Sequence, residues 1–254
     1  MANRGASRRV QAVEITLAVI EYLKAHDGAG VTELAEALGH SKGTVHGHLT
    51  TLLDNGYLVK EDGTYHLSLR YFDLANTAVD RLGVYGAAEE ELEDLAEESG
   101  ELAQFAVEEH GKAVYLCKTG GERAVQTGSS VGAHEYMHCI ALGKAMLSQM
   151  PDERVDEIVD RHGLPAFTDR TTTARDRLHE ELATVRDQGY AFDNEERIEG
   201  VRCVAAPIQN GDDVLGAVSV TAPSRRMVGE FFREEVPEMV TRSANVIEIN
   251  SQFS

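Results

Sequence analysis

Apolar residues between Val31 and Val59 recur at helical spacing in two short bursts, VTELAEAL and TVHGHLTTLLD, separated by GHSKG. In the first, Leu34, Ala35 and Leu38 share one face, Thr32 stands at an N-cap position, and Gly39 is a terminator that tolerates positive φ. Ser41 is placed to cap the second helix. There Val45, Leu49, Leu52 and Leu53, at i, i+4, i+7 and i+8, make one stripe that stops at Asn55-Gly56. Two short runs around Glu61-Asp62-Gly63, in YLVKEDGTYHLSL, predict a β-hairpin. Upstream, Val13, Leu17, Ile20 and Leu23 predict a helix from Val10 to Lys24 that closes a three-helix core. The outline is an all-α winged helix-turn-helix with a small β wing, whose second helix suits insertion into a major groove.

Beyond the wing the pattern changes. Phe72, Ala75, Val79 and Leu82 predict a connecting helix, and Ala87 to Glu98 an acidic helix with Leu92, Leu95 and Ala96 inward. LAQFAV, AVYLCKT and RAVQTG, turning at His110-Gly111 and Gly120-Gly121, read as an antiparallel meander. Helices follow near Leu142-Gly143-Lys144, from Asp152 to Arg161, and from Thr173 to Gln188. Two strands, GVRCVAAPIQ and VLGAVSVTA, join across Asn210-Gly211-Asp212-Asp213, and a last helix runs from Met227 to Asn250. An antiparallel sheet flanked by helices is an α+β sensor-type domain. The expected division is 1–70 for the winged helix, 71–85 for a linker helix and 86–254 for the larger domain.

Charge sharpens that division. Of the net −19, residues 1–70 carry −1, from seven Lys or Arg against eight Asp or Glu, and residues 71–254 carry −18, from 17 against 35. The acid therefore sits away from the candidate DNA-reading unit. Lysine is scarce, six against 18 arginines, and an acidic, lysine-poor surface suits a halophilic source. No apolar run reaches the length of a membrane span, and no apolar signal region follows the basic N-terminus, so the expected location is cytoplasmic. Cys117, Cys139 and Cys203 form no C-x-x-C pair, which indicates neither a disulfide framework nor a zinc knuckle.

Three stretches carry a resemblance: TVHGHLTTLLDNGYL, MHCIALGKAMLSQMP, and GYAFDNEERIEGVRCVAAPI continuing into AVSVTAP. In this order they resemble the IclR family of transcriptional regulators over nearly the full length. The resemblance implies a C-terminal GAF-like domain that binds a small effector, often an organic or aromatic acid, and homodimers that pair as a dimer of dimers on double-stranded DNA. It also places Asp193, Cys203, Ser219 and Thr221 on effector-contact positions. Strand alternation independently puts Ser219 and Thr221 on one face. Ala141 and Leu142 would open a helix whose free N–H groups attract an anion. Asp193 is awkward beside an anion and would accept from a ligand hydroxyl or from Arg202.

The recognition helix departs from the family by carrying Gly43 and Gly47, each costing about 1 kcal/mol relative to alanine. Either these are neutral exposed sites, or the helix backbone approaches DNA closely while Thr44, His46, His48 and Thr50 read bases. Of these, His48 lies nearer the buried stripe and reads as structural. Lys42, Lys60 and the arm of Arg4, Arg8 and Arg9 would meet phosphates.

Two other classes compete. A metal or redox sensor could use Cys117, His138, Cys139 and Cys203, with His134 four residues before His138, although such a pair must be helical to act together. An enzyme has little support, since there is no G-x-S-x-G elbow, P-loop or dinucleotide fingerprint. No catalytic residue, metal or cofactor is expected.

Overall fold

The computed structural model describes residues 9–125 and 130–252. The chain divides into two compact units, Met1–Ala78 and Val79–Ser254.

In the first unit, α1 (Gln11–His26), α2 (Val31–Leu38) and α3 (Lys42–Asp54) pack around Val19, Leu23, Leu34, Val45, Leu49 and Leu52. Strands β1 (Leu58–Glu61) and β2 (Thr64–Leu67) pair antiparallel as the wing, turning through Asp62 and Gly63 at φ 48° and 91°. Gly39 closes α2 at φ 68°, and Ser41 Oγ accepts the Thr44 N–H at 3.1 Å, so the turn is built as its residues dictate.

Two expectations here are corrected. α2 begins at Val31 after Gly30, with no side-chain cap, so Thr32 lies inside the helix. The entry is fixed instead by the antiparallel bridge between Ala29 and Tyr65. In α1 the buried stripe is Ile15, Val19 and Leu23, whereas Val13 and Leu17 are 53% and 56% exposed. Of the expected stripe, Leu23 is buried and Ile20 packs partly against the core; the first half of the helix is apolar on two sides, and there periodicity alone favoured the wrong one. α4 (Arg70–Asp80) follows and buries none of its residues, leaving Phe72 68% exposed.

The second unit is a six-stranded antiparallel sheet in the order β5-β4-β3-β8-β7-β6. Its strands are β3 (Leu102–Glu109), β4 (Lys112–Gly120), β5 (His134–Tyr136), β6 (Ala191–Asn194), β7 (Val201–Asn210) and β8 (Asp213–Pro223). Helices α5 (Tyr85–Ser99) and α9 (Val236–Ser251) cover one face, over Phe105, Val204, Val218 and Val220. Helices α6 (Ala141–Ser148), α7 (Asp152–His162) and α8 (Arg175–Gln188) cover the other, over Ala106, Cys203, Ala205 and Ala217. The alternation of Cys203 with Val204, and of Ala217 with Val218, is what separates the two cores.

The sheet differs from expectation at its edges. The third strand of the meander is His134–Tyr136, not RAVQTG; Arg123–Val125 is not extended into the sheet, and 126–129 lie outside the described residues. Ala191–Asn194, too short to show alternation, forms the opposite edge. The last helix opens with a π-turn over Phe231–Glu235 before α9.

Candidate functional site

On α3, Lys42, Gly43, Thr44, His46 and Gly47 are exposed and Thr50 half-buried, opposite Val45, Leu49 and Leu52. A Cβ at Gly47 would meet nothing within 4 Å, so the helix face there is open backbone. His48 instead turns inward, its Nδ1 2.8 Å from Thr16 Oγ1, a structural contact between α1 and α3. Lys60 on the wing lies over the Tyr65 ring, 4.7 Å from its centroid. Arg4 and Arg8 lie outside the described residues; Arg9 is exposed and 3.5 Å from Glu14.

In the second unit, a cavity of about 190 Å³ lies where α6 begins above the sheet. Strand register builds its floor: Asp193 is paired with Cys203, and Cys203 with Thr221, so these three side chains cross β6, β7 and β8 in one row. Gln104 from β3 and Tyr115 from β4 complete the floor, and Glu135, Ile140, Leu142, Arg197, Ile198 and Val201 rim it. α6 has no side-chain cap. Its first N–H groups have no partner within the helix, as in any helix N-terminus. Its seat requires Gly143, because a Cβ there would fall 2.2 Å from the Met137 carbonyl oxygen.

Asp193 is 5% exposed and accepts the Glu196 N–H at 2.8 Å. Burial pushes its carboxyl up to about 7 against the pull of that N–H, and the Glu196 carboxylate adds to the rise. Arg202 does not serve it, contrary to expectation. Arg202 pairs in register with Asn194, donates to Met227 O at 2.7 Å and lies over the Phe232 ring, on the opposite face. Arg197, in contrast, makes a two-point pair with Glu135 at 2.9 and 3.2 Å. Its guanidinium stands 4.3 Å from the Phe167 ring centroid.

Close to Asp193 in sequence, Glu196 belongs to an ion triad that is buried at Lys144 and Glu196 and half-exposed at Glu181. Lys144 on α6, with no exposed surface, donates to Glu181 at 2.5 Å and to Glu196 at 2.7 Å. Burial alone would lower the Lys144 ammonium, but the two carboxylates outweigh it and hold it above the ordinary lysine range. Glu196 thereby joins Asp193, through its N–H, to Lys144 of α6, through its side chain, and Lys144 in turn holds Glu181 of α8.

Of the residues singled out from sequence, Leu142, Asp193, Cys203 and Thr221 line the cavity. Ala141 and Ser219 are fully buried and do not line it. Gln104, Tyr115, Glu135 and Arg197 escaped the sequence reading. A lone glutamine in the apolar strand LAQFAV was the one signal available for them. The sensor alternative is not assembled. Cys117 packs on the α5 side of the sheet, and Cys139 and Cys203 in the other core. His134 is in a strand and His138 in a 3-10 turn, where its Nε2 lies 3.1 Å from Pro165 O, so the two rings are not a helical pair. Burial raises the thiols of Cys139 and Cys203 to about 12. Among the described residues no three His, Cys, Asp or Glu side chains gather as metal ligands, and no helix is long and apolar enough to cross a membrane.

Comparison with known proteins bears on both units. Residues 12–62 match the family model for the IclR helix-turn-helix domain, and residues 76–249 the model for the bacterial transcriptional regulator IclR C-terminal domain. The chain is 35% identical over 253 residues to "Probable HTH-type transcriptional regulator ArcR" of Halobacterium salinarum, covering 98% of this chain and 96% of that one. It is 29% identical over 236 residues to the transcriptional repressor IclR of Escherichia coli, covering 91% and 86%. The fold is that of the Thermotoga maritima IclR crystal structure, with TM-score 0.78, 25% identity and coverage of 95% and 97%. It is also that of an IclR homolog from Microbacterium hydrocarbonoxydans complexed with 4-hydroxybenzoate, with TM-score 0.84, 22% identity and coverage of 96% and 100%.

Proposed function

The chain belongs to the IclR family of transcriptional regulators, which are DNA-binding proteins and not enzymes, and from that footing we propose that a small effector in the α6 cavity modulates its binding to an operator. The observation that carries this is the cavity itself. It holds one buried carboxyl, one buried amide donor without a partner and the start of a helix, in a space of about 190 Å³. A space lined by apolar side chains with a few convergent polar groups, here with the Arg197–Glu135 pair on its rim, is how small-molecule sites are built. A small organic or aromatic acid, or a sugar-derived metabolite, fits that size, and the 4-hydroxybenzoate held by the Microbacterium protein is an aromatic acid. Asp193, Cys203 and Thr221 on its floor and Leu142 on its rim contact the effector, with Ala141 and Ser219 in support.

Operator reading falls to Thr44, His46 and Thr50, with Gly43 and Gly47 allowing close approach and Lys42 and Lys60 meeting phosphates. Residues 1–70 carry that role, 71–85 the link and 86–254 effector binding. A second copy covers the exposed apolar residues Val13, Leu17 and Phe72, giving a dimer and, through the larger domains, a dimer of dimers. The acidic, lysine-poor composition suits a cytoplasm rich in salt, as does a relative from Halobacterium salinarum.

The test is titration of the protein into fluorescent DNA from its own upstream region in molar KCl, read by anisotropy, alone and with a panel of small acids and sugars. One panel member should shift the binding curve. A curve that no member shifts, with DNA still bound, counts against the effector role.

A further inference from the structure

Gln104 lies on the cavity floor and is 3% exposed. Its Oε1 is 2.8 Å from Thr221 Oγ1, while its Nε2 is buried without a partner. Thr221 Oγ1 also lies 3.1 Å from Cys203 Sγ. A hydroxyl has one proton, so Thr221 donates to the amide or to the sulfur, not to both.

The direction follows from the chemistry of the three groups. An amide oxygen is a much stronger acceptor than a thiol sulfur, and 2.8 Å is an ordinary O–H···O length. Cys203 is buried and keeps its proton, since burial pushes the thiol up to about 12. Ser219 Oγ makes no hydrogen bond and the backbone acceptor Val204 O is 3.9 Å away, so Thr221 Oγ1, at 3.1 Å, is the close oxygen for the S–H. Cys203 therefore donates to Thr221, and Thr221 donates to Gln104 Oε1. Both amide hydrogens of Gln104 are left for the cavity.

We infer that Gln104 is the specificity-determining donor of this cavity, held in one orientation by the Cys203–Thr221 chain, and that it admits ligands offering a carboxylate or carbonyl oxygen there. This rests on the effector reading above and narrows it. Cys203 and Thr221 then act through Gln104 as positioning residues. The far end of the ligand meets Asp193, which suits a hydroxyl, so the ligand class is a hydroxy acid or a hydroxylated carbonyl compound.

Two measurements on the full-length protein test this. The first is calorimetric titration with 4-hydroxybenzoate, lactate and phenol, the last lacking the acceptor group. Gln104→Leu should weaken the better-bound acid about ten- to hundredfold, the worth of a hydrogen bond to a charged acceptor. Gln104→Glu, of the same shape, should weaken it further, and Thr221→Val, which frees the amide to turn, should narrow the preference for acid over phenol. Wild-type acid affinity in Gln104→Leu would overturn the assignment. The second needs no ligand: the infrared S–H stretch of Cys203, identified by its loss in Cys203→Ala. It should sit at the frequency of a donating thiol and move to that of a free thiol in Thr221→Val. A free-thiol band in the wild type would overturn the orientation. Failure of every probe to bind the wild type would overturn this ligand class, whereas the effector reading falls only if no member of the wider panel shifts the DNA titration, so the two failures are told apart.

Discussion

Replacing Asp193 by asparagine removes a buried titration while keeping an oxygen for the Glu196 N–H. With a carboxyl at about 7 in the fold against 3.8 when unfolded, the wild type is most stable, as far as this group is concerned, below pH 4. That contribution is lost as pH rises through 7, because the unfolded chain ionises first. At 1.36 kcal/mol per unit the loss comes to about 4 kcal/mol at pH 8 and under about 1 kcal/mol at pH 4. The asparagine protein does not incur it. The unpaired amide hydrogens of the introduced asparagine add a cost of about 1–3 kcal/mol, but that cost is the same at both pH values and cancels in their difference. The stability gained by Asp193→Asn should therefore be greater at pH 8 than at pH 4 by roughly 3–4 kcal/mol. Urea unfolding followed by far-UV circular dichroism reads this as a relative midpoint shift of about 2 M, at a slope of about 2 kcal/mol/M. An equal effect of the substitution at both pH values would refute the reasoning.

Other outcomes follow from particular contacts. Lys144→Met should destabilise the second unit by about 3–5 kcal/mol, since it leaves the Glu196 carboxylate buried without its cation; changing Glu196 to Met as well should restore much of the loss in the same urea assay. Gly47→Ala should stabilise α3 by about 1 kcal/mol yet weaken DNA binding, and unchanged DNA affinity would count against close backbone approach. Lys42→Gln and Lys60→Gln should each reduce the slope of log K against log salt by about 0.9, uniformly across DNA sequences. The thermal midpoint should rise between dilute buffer and molar KCl; a flat response would refute adaptation to salt.

What the sequence made legible was what is encoded locally. Gly39, Ser41 and Asp62-Gly63 each determine their own backbone, so the helix pair and wing follow from a few adjacent residues. The parity of Ser219 and Thr221 follows from their strand in the same way. Contacts set by register did not show. Arg202 looked available to Asp193, but pairing Asp193 with Cys203 puts Arg202 on the other face. Lys144 meets partners 37 and 52 residues away, on a helix and in a loop, which no local pattern announces. α1 misled because Ile15-Val19-Leu23 and Val13-Leu17 are both apolar stripes, and only one faces the core.

The central claim is that one protein links a cavity under α6 to the affinity of α3 for DNA, and linkage of this kind is reciprocal. Its most direct test is to measure, at equilibrium and in the same molar KCl, the effector's affinity for the free protein and for the protein saturated with operator. The factor should equal that by which saturating effector changes operator affinity. An effector affinity indifferent to operator, while the effector still shifts operator binding, would contradict it.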